Sequence, residues 1–119
     1  MDTLRFDGRD LEPYEEYVSA SALVVGETYF AVHFVDDQML VPELRPLVFI
    51  GRDREVGDSG QLYFQDADSY MAGVRYDSIS DDATAEFHTV HHDTPFVSEY
   101  EQALESLLRC SLRRQASRA

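Results

Sequence analysis

The sequence predicts an α+β domain: a small twisted antiparallel sheet of four to five strands with a C-terminal helix packed on it. Three observations predict it. Residues 28–35 alternate in side-chain direction as a pleated strand does, and aromatic and β-branched types dominate there. Further short apolar runs follow, separated by turns rich in Gly and Asp. Then one long stripe, from Phe96 to Leu112, recurs at helical spacing. The chain has 119 residues, 44% hydrophobic and 12% aromatic, which suits a single domain over 1–119 with its own core. Residues 1–10 and 115–119 are expected to be loosely held.

The elements follow in order. Leu11, Tyr14, Tyr17 and Val18 fall at helical spacing behind Asp10, and Pro13 suits a first turn, so a short helix is expected over 11–20. Gly26-Glu27 turns into the first strand and Asp36-Asp37-Gln38 turns out of it. Within that strand Phe30, Val32 and Phe34 share one face, with Tyr29, Ala31 and His33 on the other. His33 there is either a sheet-surface histidine or, with Tyr29 and Ala31, the floor of a groove. Met39-Leu40-Val41 is expected to pair back as a second strand until Pro42 interrupts it. Pro46–Gly51 is apolar throughout, as a strand buried on both faces would be. The connector 52–60 is polar with two glycines, and Gln61–Gln65 returns as the partner strand of a long-looped hairpin. Asp66–Gly73 has the form of one helical turn closed by a glycine cap. A last strand is expected over 85–91.

The C-terminal helix is the plainest element. Thr94-Pro95 offers an N-cap with proline at the first helical position, and Ser98 with Glu101 offers a rival capping box. Phe96, Tyr100, Ala103, Leu104, Leu107, Leu108 and Leu112 form its apolar stripe, glutamates sit early and arginines late. Cys110 falls off that stripe and has no base beside it in sequence, which makes it an inert thiol. The series Gly26-x-x-Tyr29, Val48-x-Ile50-Gly51 and Tyr63-Phe64-x-Asp66 is similar to the turn-and-strand rhythm of small SH3-like domains over about a third of the chain. That resemblance implies an SH3-like barrel as the alternative form of the sheet.

Charge narrows the function. Acids outnumber bases 23 to 10, giving a formal net charge of −13, and 20 of the acids lie before Glu99. Such a body repels phosphate backbones and anionic membrane surfaces, so neither nucleic acid nor membrane is expected as a partner. All ten bases are arginine; lysine chemistry, whether Schiff base or P-loop, is absent. One cysteine permits neither an intramolecular disulfide nor a thiolate metal cluster. The N-terminus lacks the charged start and apolar run of a secretory signal, so a cytoplasmic location is expected.

Two constellations carry candidate chemistry. Acids fall in predicted turns beside aromatics: Asp36, Asp37, Asp66 and Asp68 with Tyr63 and Tyr70. Acid-rimmed aromatic anchors suit capture of an arginine- or lysine-rich surface, as in proteins that neutralise basic toxins or nucleases. The plainer reading is that these acids only solvate loops. Separately, Glu86, His88 and His92 would share one face of the last strand and offer a divalent metal two imidazoles and a carboxylate, with His91 pointing opposite. The plainer reading is a polar strand edge with independent histidines. Asp66-x-Asp68 lacks the sixth-position glycine and closing glutamate of a calcium loop. Neither a Gly-x-Ser-x-Gly elbow nor a Walker loop occurs. The expected function is therefore a non-enzymatic acidic domain that binds a basic protein, possessing no cofactor. The alternatives are a divalent-metal domain or metal-dependent enzyme built on the His88–His92 segment, and self-association through an open sheet edge.

Overall fold

The computed structural model describes residues 17–78 and 84–118. In chain order they form β1 (Thr28–Phe34), β2 (Pro42–Arg52), β3 (Gln61–Asp66), α1 (Ala67–Met71), β4 (Phe87–His91) and α2 (Tyr100–Arg118), with single 3-10 turns at Ala20–Ala22 and Tyr76–Ser78. The strands make one antiparallel sheet in the order β1-β2-β3-β4. This is the predicted α+β architecture, a small domain with a four-stranded sheet and a C-terminal helix. Most of the helix expected over 11–20 lies outside the described residues; Ala20 opens a 3-10 turn. No helix among the described residues is long and apolar enough to cross a membrane.

Strand β2 corrects the sequence reading. Met39 does not begin a strand: it sits at φ 58 inside the β1–β2 turn. The Asp36 carboxylate holds that turn by accepting from the amides of Leu40 (3.0 Å) and Val41 (2.8 Å). Pro42 then starts an eleven-residue strand that runs through Pro46. Two prolines are tolerated because of the register. Phe30 exchanges backbone bonds of 2.9 and 2.8 Å with Ser98 on the outer edge of β1, so its amide faces away from β2. Its partner Pro46, and Pro42 opposite Phe34, therefore occupy positions that owe β1 no N–H. Their nitrogens face the side where β3 has already ended, opposite Leu47.

Both faces of the sheet are covered. On one, Leu23, Tyr29, Ala31, Leu47, Phe49, Leu62, Phe64 and Val97 form the main cluster. Phe64 meets Phe49 at 5.4 Å and Phe96 at 5.3 Å between ring centroids. Burying each such ring contributes roughly 1.5–3 kcal/mol. Tyr29 and Ala31 are thus core and floor no groove; the Tyr29 hydroxyl accepts from the Val24 amide. On the opposite face, α1 and the turn after it cover Val48, Ile50 and Tyr63. Gln65, fully buried, ties that layer down by donating to Ser69 Oγ and the Val74 carbonyl, both at 2.9 Å.

Phe30 and Phe34 point toward α2: Phe30 meets Tyr100 edge-on at 5.5 Å and the Arg113 guanidinium lies 5.1 Å above Phe34. The helix does not dock by its leucine stripe. Its buried residues are Ala103, Ser106 and Cys110, while Tyr100 is 64% and Leu112 55% exposed. Small side chains let the helix axis approach β1, and Cys110 belongs to that packed face, its thiol directed at the Leu40 carbonyl (3.6 Å). Leu104, Leu107 and Leu108 flank the contact, half-buried.

Candidate functional site

Cross-strand partners share a face of the sheet. The pairs His33↔Glu43, Ala31↔Arg45, Leu47↔Asp66 and Phe64↔His88 therefore put His33, Glu43, Arg45, Asp66 and His88 on the same side, where the main cluster ends. Alternation along the chain entering β4 adds Glu86. These groups link into a row across the sheet. His33 Nε2 lies 3.2 Å from Glu43 Oε2, Arg45 Nε lies 3.6 Å from Glu43 Oε1, Arg45 Nη2 bonds Glu86, and His88 Nε2 lies 3.8 Å from the same Glu86 oxygen. β3 ends at Asp66, opposite Leu47, so beyond it Arg45 spans the gap between β2 and the approach to β4.

Beside Arg45 opens a shallow groove of about 400 Å³, lined by Glu43, Arg45, Pro46, Asp66, Asp68 and Glu86 among others. Four acidic residues and one arginine line it, and Glu43 and Glu86 pair with that arginine. Asp66 is built in: its carboxylate caps α1 by accepting from the Ser69 amide (2.9 Å) and hydroxyl (2.6 Å), and accepts from the Glu86 amide at 2.7 Å. Partial burial works to raise this carboxyl, but the bonds from Ser69 and Glu86 outweigh it and hold it below the usual carboxylate range. Asp68, one residue into α1, is exposed.

The structure thus draws together residues that the sequence assigned to two different sites. Asp66 and Asp68 share the groove with Glu86, and His88 stands next to Glu86. Other expectations separate. Asp36 and Asp37 lie on the β1–β2 turn, beyond the Phe34↔Pro42 pair, and are not among the residues that line the groove. Asp36 is occupied by the turn, and the Val41 amide leads the contacts that hold its carboxyl below the usual range. Asp37 is exposed. Tyr63 is not a surface anchor: it is 3% exposed and its hydroxyl donates to Asp58. Tyr70 packs against the second cluster with the Arg75 guanidinium 3.8 Å over its ring.

Glu86, His88 and His92 do not gather. Positions i and i+4 of a strand are about 13 Å apart, too far for one ion, whatever face they share. Moreover β4 ends at His91, and the His92 ring lies against Asp93, with Nε2 3.1 Å from Oδ1. Among the described residues the donor group that does converge is His91, His92 and Asp93. Sequence reasoning missed Arg45 as the link between Glu43 and Glu86, since its partner lies 41 residues away. Comparison with family models, with curated proteins and with solved structures finds no match to this chain.

Proposed function

We propose that the protein is a non-enzymatic cytoplasmic interaction domain whose groove beside Arg45 receives a basic side chain of a protein partner. The observation that carries the reading is the convergence of Glu43, Asp66, Asp68 and Glu86, from β2, the β3–α1 junction and the approach to β4, on one concavity with a single cation. An incoming guanidinium would meet carboxylates already oriented, Asp66 by its amide bonds and Glu86 by Arg45. The net charge of −13 would steer such a partner from a distance and speed encounter at low salt. The aromatic part of the expected surface drops out, because Tyr63 and Tyr70 are engaged in packing. Recognition here is by charge and groove shape.

The test is fluorescence anisotropy with a labelled arginine-rich decapeptide, read at stepped ionic strength. The double variant Glu43→Gln/Asp68→Asn should bind about thirtyfold more weakly, since each lost charge-assisted contact is worth roughly 1 kcal/mol. Glu27→Gln/Glu99→Gln removes the same charge elsewhere and should change affinity less than about twofold. Equal weakening by both pairs would mean that only net charge matters, and the groove would lose its role.

A further inference from the structure

We propose that His91, His92 and Asp93, where the chain leaves β4, form a binding site for a divalent transition-metal ion of the zinc, nickel or copper class. One donor atom from each lies within 4.8 Å of the others. His92 Nε2 is 3.1 Å from Asp93 Oδ1 and His91 Nδ1 is 3.6 Å from Asp93 Oδ2. Donors bonded to one such ion at about 2.0–2.2 Å stand roughly 3–3.5 Å from each other, so small side-chain rotations complete the set.

The rings are oriented from behind. His92 Nδ1 lies 3.2 Å from the Gly60 carbonyl, which orients the ring with Nε2 toward Asp93. A backbone carbonyl in this position is the usual support of a ligating imidazole. On His91 the Asp93 amide donates to Nδ1 at 3.2 Å, which marks that nitrogen as the unprotonated one; an incoming ion takes over its lone pair. Gly60 is part of the device. A Cβ there would stand 2.3 Å from His92 Nδ1, and its φ of +72° already favours glycine, so the close seat of the ring depends on the missing side chain. Two imidazoles and one carboxylate favour borderline transition metals over magnesium or calcium. All three side chains are exposed, so water fills the remaining positions and the ion enters without unfolding. The site is separate from the groove beside Arg45 and does not rest on the partner reading.

The experiment is isothermal titration of the untagged full chain with zinc sulfate and, separately, nickel chloride, with Tm recorded in parallel. One equivalent should bind and raise Tm, because only the folded chain holds the three donors together. His91→Ala and Asp93→Asn, both at exposed positions, should each weaken binding at least about tenfold, and Gly60→Ala should do the same by displacing His92. Magnesium chloride should give no heat. The proposal is overturned if folded wild-type protein shows neither heat nor a Tm shift at millimolar zinc. It is equally overturned if His91→Ala binds like wild type while His33→Ala/His88→Ala does not.

Discussion

Replacing Asp66 by alanine tests whether one carboxylate fastens the start of α1 to the approach of β4. Its oxygens accept from the Ser69 amide and hydroxyl and from the Glu86 amide, which are three and twenty residues away. Losing an N-cap costs about 1 kcal/mol, and losing the bond that holds Glu86 costs about 1 kcal/mol more. The expected loss is therefore about 2 kcal/mol, which for a chain of this length lowers Tm by about 8 °C. Urea unfolding at pH 7 measures it, with Asp68→Asn, the exposed neighbour, expected within about 0.5 kcal/mol of wild type. The pH dependence has a definite sign. The Asp66 carboxyl is depressed in the folded chain from an ordinary value of 3.8, so its contribution is complete above that value and is lost as pH falls through the lower, folded one. The gap between wild type and Asp66→Ala should thus be full at pH 6 and shrink toward pH 3. A gap below about 0.5 kcal/mol at pH 7, or one that stays constant down to pH 3, refutes the reasoning.

The packed face of α2 yields two more expectations. Ala103→Leu should destabilise by about 1–3 kcal/mol through overpacking against β1, whereas Leu112→Ser should stay within about 0.5 kcal/mol; the reverse order in urea melts would return the helix to its leucine stripe. Cys110, 2% exposed, should react with a chromogenic disulfide reagent only as fast as the protein opens, so its labelling should speed up with urea in step with unfolding. Fast labelling of native protein would place the thiol at the surface.

The sequence alone determined the local features. Strand β1, the hairpin of β2 with β3, the Asp66-capped turn closed near Gly73 and a helix near the C-terminus each rest on alternation, capping or turn chemistry confined to a few neighbouring residues. Only the tertiary structure decided what depends on distant chain. Pro42 and Pro46 pass as strand residues because β3 ends before reaching them, which no local rule encodes. Helix α2 buries Ala103, Ser106 and Cys110 because closeness to β1 outweighs the hydrophobicity of its leucines. Glu86 was legible as a metal-capable side chain, yet Arg45 claims it from across the sheet. Strand β4 ends at His91, and the chain turns at His92 and Asp93, which gathers those side chains with His91 instead of with His88. Side-chain chemistry and period are written residue by residue; register, and hence which charges meet, is set by strands that pair only once the chain has folded.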